Sequence, residues 1–210
     1  MPLSRLYTNQ MKIAVIATSP RKNSNTLRFC RYVRHILNEL GQDDVTVIDF
    51  EQYDIPLIVH GKVHKDSLTP FQQQFITAWE EADLVLFATP EYNWTASAEL
   101  INTFHQLGGK DFAHLFDNKT FAIAGISSGR GGREPILQMT TVLNKLINFL
   151  NGNSIVSARG YESHETGHNL TEDGLPHGHN PIYEKTARAF VEYTLQIAQR
   201  WHAATLVEAK

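Results

Sequence analysis

The nine residues Thr18-Ser-Pro-Arg-Lys-Asn-Ser-Asn-Thr26 bring four hydroxyls (Thr18, Ser19, Ser24, Thr26), the Arg21 guanidinium and the amides of Asn23 and Asn25 into one short turn. That mixture suits the holding of an anion rather than the making or breaking of bonds. The turn follows the apolar run 12–17, and the periodic pattern beyond it demands a helix. A helix start exposes free backbone N–H groups and the positive end of the helix dipole, and together these attract a phosphate. Pro20 and Asn23 shape such a turn, and a Ser or Asn near the cap starts the helix. An ordinary capped helix behind a strand uses several of the same residue types, so the reading depends on what converges on the turn.

Two further segments carry suitable groups. Pro90-Glu-Tyr-Asn-Trp-Thr-Ala-Ser97 offers an aromatic, amide-bearing wall, and Ser127-Ser-Gly-Arg-Gly-Gly-Arg133 is a glycine-rich stretch whose backbone can approach a planar ligand closely. The elements that must position them are strands and helices in alternation. Apolar runs of strand length fall at 12–17, 45–50, 84–89, 120–126 and 154–158, each nearly continuous in Val, Ile, Ala, Leu or Phe, as expected for strands buried on both faces of a parallel sheet. Between them Leu27, Cys30, Val33, Leu37 and Leu40 form one helical stripe that stops at Gly41. Helical patterns recur at 70–82, at 98–107 before Gly108-Gly109, at 135–150 and at 183–201. This alternation implies an α/β fold, a flavodoxin-like doubly wound five-stranded parallel sheet in the order 2-1-3-4-5 with helices on both faces. Its ligand crevice lies beyond the C-terminal ends of strands one, three and four, which is where the three polar segments begin. A phosphate turn, an aromatic wall and a glycine-rich loop at one crevice suit a phosphate joined to a flat heterocycle, the outline of flavin mononucleotide (FMN).

Composition excludes several other classes. The chain of 210 residues, 42% hydrophobic, supports one sizeable core, and no Pro-, Gly- or Ser-rich linker divides it. We read a single domain over 11–203, with an N-terminal extension over 1–10 and a C-terminal tail over 204–210. A net charge of −3 lacks the basic excess of a nucleic-acid binder and the polybasic run of a membrane-surface protein. No apolar stretch approaches the roughly 20 residues of a membrane helix, the first ten residues lack a signal-peptide core, and the lone Cys30 forms no intrachain disulfide, which together point to the cytosol.

The first turn resembles the Gly-Ser-x-Arg-x-x-Ser-x-Asn fingerprint of the NADPH-dependent FMN reductase family, the flavodoxin-like quinone, azo and chromate reductases, and Pro90-Glu-Tyr-Asn93 resembles that family's second loop. The likeness extends from strand one through the loop after strand four. It implies FMN as cofactor, NADPH or NADH as co-substrate, a small-molecule electron acceptor, hydride transfer through flavin N5 in ping-pong fashion, and a homodimer or homotetramer. By that resemblance Ser19, Arg21, Ser24, Asn25 and Thr26 hold the FMN phosphate. Pro90, Glu91, Tyr92 and Asn93 line the isoalloxazine, and Ser127, Ser128 and Gly129 meet its pyrimidine side. Arg130 and Trp94 stand on the substrate and NAD(P)H side. No catalytic side chain is required, since the flavin performs the chemistry. The chain departs from the pattern at Thr18, where the family has Gly, and at Ser97-Ala98, where it has Pro-Gly.

Other features carry bland readings beside functional ones. The wide apolar arc of 135–150 suits either a helix deep in its own subunit or one packed partly against another. His164, His168, His177 and His179 match no metal spacing, and the polar stretch 160–180 reads as a long loop able to cover the site. Cys30 falls on an apolar stripe and reads as a buried thiol. No cysteine accompanies Arg21 as a phosphatase of this topology requires, and neither Gly-Lys-Ser/Thr nor G-x-G-x-x-G follows strand one. A one-electron flavodoxin-type carrier or a non-catalytic flavin-binding protein is the competing function; carriers show an acidic excess for docking that this chain lacks.

Overall fold

The computed structural model describes residues 10–208, without the side chains of 204–208; apart from Gln10, the extension expected over 1–10 lies outside the described residues. Strands β1 (Ile13–Ala17), β3 (Leu84–Pro90) and β4 (Thr120–Ile126) are buried at every residue, as their unbroken apolar runs require, whereas β2 (Val45–Asp49) at the sheet margin buries only Ile48 fully. The strands pair in parallel in the order β2-β1-β3-β4-β5. Register decides where the polar segments go. Ala17 lies level with Ala88, and Ala88 with Ala124, so the chain leaves β1, β3 and β4 at nearly one height.

Helices cover both faces. On one side α1 (Asn25–Glu39) and the closing helix Pro181–Glu208 bury Phe29, Val33, Phe190 and Leu195 against the sheet; that last helix runs on past residue 203. On the other side lie α2 (Pro70–Glu81), α3 (Ala98–Leu107) and α4 (Arg133–Leu150). Their core is aromatic: the Trp79 ring sits 5.1 Å from those of both Phe87 and Phe116. Helix α4 turns Ile136, Met139, Leu143 and Ile147 inward and leaves Leu137 and Phe149 exposed, so its wide arc is only partly used within the subunit.

The fifth position of the sheet differs from the single strand expected over 154–158. A two-residue β5 (Ile155–Val156) pairs with Thr120 and Phe121, the chain bulges outward, and β6 (Tyr161–Ser163) returns to pair with Ala124, Gly125 and Ile126. Gly160 permits the return because any Cβ there would press into Ile136. The stretch 160–180 is therefore more than a polar loop. It contains β6, a single turn α5 (Thr166–Asn169) and a Leu170–Pro176 bridge before the closing helix, α6.

Candidate functional site

Ser24 is the N-cap of α1, its hydroxyl accepting from the Leu27 N–H at 3.1 Å. The first intrahelical bond is Arg28 N–H to the Ser24 carbonyl, and helix geometry leaves the N–H groups ahead of it without an intrahelical acceptor. The Asn25 and Thr26 N–H groups thus stand at a dipole's positive end beside buried Ser19, Ser24 and Thr26. Ser19, Arg21, Lys22, Asn23, Ser24, Asn25, Thr26, Pro90, Glu91, Tyr92, Ile126 and Ser128 enclose a hollow of about 260 Å³ there. The donor set fits a phosphate monoester: hydroxyls, amides, free N–H groups and two cations.

The second loop joins the first through Tyr92. Its hydroxyl lies 3.0 Å from Ser19 Oγ, and the Arg21 guanidinium packs over its ring at 4.5 Å. Tyr92 and Thr95 exchange backbone bonds of 2.9 and 3.1 Å, and the intervening Asn93 and Trp94 both take positive φ (48° and 67°). That two-residue turn leaves Trp94 76% exposed at its tip, outside the hollow. The two departures from the family pattern meet each other. Thr18 is fully buried, with its hydroxyl donating to the Ala88 carbonyl at 3.1 Å rather than facing the hollow, and Ser97 Oγ donates to the Thr18 carbonyl at 2.7 Å. Ser97 also caps α3, accepting from Leu100 N–H.

The third loop is held from outside itself. The Glu91 carboxylate accepts the Gly132 N–H at the start of α4, and His164 Nδ1 accepts from Gly131 N–H at 3.1 Å. Glu165 N–H reaches the Gly129 carbonyl (2.8 Å), Thr166 N–H the Ser127 carbonyl (3.1 Å), and Ser127 N–H the Ser163 carbonyl (2.9 Å). Residues 163–166 grip the glycine-rich loop as a buttress, a role the sequence did not disclose because the contacts span some forty residues and run mostly through backbone. Ser163 is in turn fixed by the Tyr183 hydroxyl at 2.7 Å. Burial pushes the Tyr183 phenol well above its usual value, which keeps it a neutral partner.

Of the residues expected at the site, Ser19, Arg21, Ser24, Asn25, Thr26, Pro90, Glu91, Tyr92 and Ser128 line the one hollow, while Asn93, Trp94, Ser127, Gly129 and Arg130 belong to the flanking loops without lining it. Lys22, Asn23 and Ile126 line it too and were missed, although Lys22 and Asn23 lay inside the turn singled out from the sequence. The imidazoles of His168 and His179 lie 4.5 Å apart and those of His177 and His179 5.8 Å, on the surface; among the described residues no group of His, Cys, Asp and Glu is arranged to hold a metal ion. Cys30 is fully buried, and desolvation followed by the Asp49 charge drives its thiol far from the reactive thiolate form. A larger cavity of about 710 Å³ opens between α4, the broken fifth strand and α6. It includes Arg133 from the first turn of α4 but none of the residues 19–26 or 90–92, so the smaller hollow, where those segments meet the free N–H groups of α1, is the candidate anion site.

Residues 11–162 match the model of the NADPH-dependent FMN reductase family, and the chain belongs to that family. Over 132 residues the chain is 26% identical to the probable NADPH:quinone oxidoreductase 2 of Oryza sativa subsp. japonica, which covers 63% of this chain and 64% of that protein. Over 128 residues it is 29% identical to the NAD(P)H:quinone oxidoreductase of Solanum tuberosum, covering 58% and 61% respectively. The matched segments thus span less than two thirds of these curated relatives. The flavoenzyme NAD(P)H:(acceptor) oxidoreductase FerB from Paracoccus denitrificans shares the fold, with a TM-score of 0.68 at 16% identity over 90% of this chain and 98% of that one.

Proposed function

We propose that this protein transfers two electrons from NADPH or NADH, through bound FMN, to a small acceptor of the quinone or azo class. The observation that carries the reading is the meeting of three loops at one crevice, where the N–H groups at the start of α1 that lack an intrahelical acceptor lie beside a tyrosine wall and a glycine-rich loop. Ser19, Arg21, Ser24, Asn25 and Thr26, with Lys22, hold the phosphate. Pro90, Glu91, Tyr92 and Asn93 flank the ring, and Ser127, Ser128 and Gly129 meet its pyrimidine side. A hollow of about 260 Å³ takes the phosphate end, leaving the flat ring at the open rim where a second planar molecule can reach it.

Bound flavin supplies hydride acceptance at N5 and two-electron release, so the protein needs no acid–base dyad. The chain's own work is binding and tuning. Exposed Arg130 and Trp94 face the side left to the nicotinamide and the acceptor, which alternate there in ping-pong order. Loop N–H groups and the Arg130 cation favour the negative charge that a reduced flavin gathers on its pyrimidine side. Leu137 and Phe149 on α4 and Ile182 on α6 leave apolar surface for a second copy, in keeping with a homodimer or homotetramer. Among the described residues no helix is long and apolar enough to cross a membrane, and we place the protein in the cytoplasm, where a single buried thiol stays reduced.

The purified protein is expected to carry or take up FMN, visible in its flavin absorbance, and to oxidise NADPH steadily when a quinone is added. Arg21→Ala and Ser19→Ala should each weaken FMN retention by about 1–3 kcal/mol in equilibrium titrations. A protein that binds FMN but turns over only with a separate reductase is an electron carrier. One that refuses FMN removes the reading altogether.

A further inference from the structure

The glycine-rich loop reaches the hollow at Ser128, and a stretch so poor in side chains holds its shape only if something else fixes it. Two side chains from different parts of the chain do so. Glu91, on the second loop, accepts the Gly132 N–H, and it is packed so close that a Cβ on Gly131 would lie 2.6 Å from its Oε1. His164, just past β6, accepts the adjacent Gly131 N–H at Nδ1, an arrangement that requires its proton on Nε2, 3.8 Å from the Glu162 carboxylate. Consecutive N–H groups are thus drawn in two directions. Gly132 itself sits at φ 108° with its Cα against Gly125, so the chain has no slack to reach either partner in another way. Glu91 also stands at the N-terminus of the 18-residue α4, where its negative charge is favoured by the helix dipole.

We propose that Glu91 and His164 are positioning residues that clamp the Ser127–Gly132 loop and thereby set the reduction potential of FMN bound beside it. The proposal rests on the FMN reading above. Neither residue acts as an acid or base. Each fixes one N–H of the loop, and the clamp aims the dipoles of the neighbouring amides toward the crevice, where they stabilise the charge gained on reduction. Because oxidised flavin lacks that charge, losing the clamp weakens the reduced form more than the oxidised form.

The test uses Glu91→Ala, Glu91→Gln, His164→Ala and His164→Asn in the full chain, with the midpoint potential and the FMN dissociation constant measured for each. Because Glu91→Ala and Glu91→Gln both remove a negative charge that disfavours reduced FMN, they are compared with each other: Glu91→Ala is expected at a more negative potential than Glu91→Gln, and His164→Ala at a more negative potential than wild type, reduced FMN being released on the order of tenfold more readily relative to oxidised FMN. His164→Asn keeps an oxygen acceptor and should fall between His164→Ala and wild type. Should an Ala variant fail to fold, His164→Asn decides, a shift to a more negative potential supporting the clamp. Equal potentials in the two Glu91 variants together with the wild-type potential in the His164 variants would overturn it, as would weaker FMN binding with equal loss of both redox forms, the mark of simple loosening. Failure of the wild-type protein to bind FMN would instead count against the functional reading, so the two failures are separable.

Discussion

The polar turn before α1 and the glycine-rich loop lie across one crevice, yet they are built in opposite ways. Between Thr18 and Thr26 the chain organises itself. Ser24 caps the helix it begins, Arg21 N–H reaches Ser19 Oγ two residues back, and the unpaired N–H groups follow from helix geometry alone. Between Ser127 and Gly132 the shape is imposed by Glu91, His164, Glu165 and Thr166, all of them more than thirty residues away from the groups they hold. A locally encoded site survives changes elsewhere in the chain; a loop held by remote partners is as stable as the weakest of them.

The comparison breaks most sharply at the glycines. Gly125 faces Gly132 so closely that any Cβ would overlap the Gly132 carbonyl carbon and oxygen, and Gly125→Ala should cost about 3 kcal/mol in denaturant unfolding, displacing the third loop while leaving α1 intact. The next effect is chemical. Desolvation raises the Tyr161 phenol to about 12 and carries Tyr183, which holds Ser163, upward as well. An unfolded tyrosine ionises near about pH 10, so stability from these buried neutral phenols is complete below that point and falls as pH rises through 10 towards 12. Thermal melts across that window should show a loss of about 3 kcal/mol for a two-unit shift, and amide exchange at Glu165 and Thr166 should accelerate before exchange in α1.

A smaller loss is expected where the first turn stands on its own. Ser24→Ala removes one cap and should cost about 1 kcal/mol, read by thermal melting, with the hydrogen bonds of the third loop unaffected. The finest probe asks whether the first turn is wholly local. Ser97 Oγ donates to the Thr18 carbonyl at 2.7 Å and also lies 3.4 Å from Thr18 Oγ1; Thr18→Gly removes only the second contact, and a cycle of Thr18→Gly and Ser97→Ala should show coupling of about 0.5 kcal/mol. Strict additivity would make the two departures from the family pattern independent.

Legibility followed the same division. Unbroken apolar runs disclosed β1, β3 and β4, because a strand buried on both faces can carry no polar alternation. The helix stripes and the stop at Gly41 were equally plain, and of the Ser and Asn residues that could cap the first helix the structure uses Ser24. The fifth strand was not plain. The run 154–158 reads as one strand, and nothing local announces that it bulges at 157–160 and resumes as β6. Glu91 was readable as part of a motif but not as the partner of Gly132. His164 read as one histidine among several in a polar stretch; like His168, His177 and His179 it is exposed, and only its bond from the Gly131 N–H sets it apart. Thr18 looked like a phosphate donor until its hydroxyl proved to be turned into the sheet.

The order of residues alone determined the alternation of elements, the doubly wound topology and the polar turn that opens α1, since periodicity, capping and helix dipoles act within a few residues of their source. Tertiary structure alone decided that Ser97 would support Thr18, that Tyr183 would hold Ser163, and that Glu91 and His164 would share the glycine-rich loop between them. Those pairings depend on register and packing, which set distances between residues far apart in the chain, and a hydrogen bond forms only when such a distance comes out right to within a few tenths of an ångström.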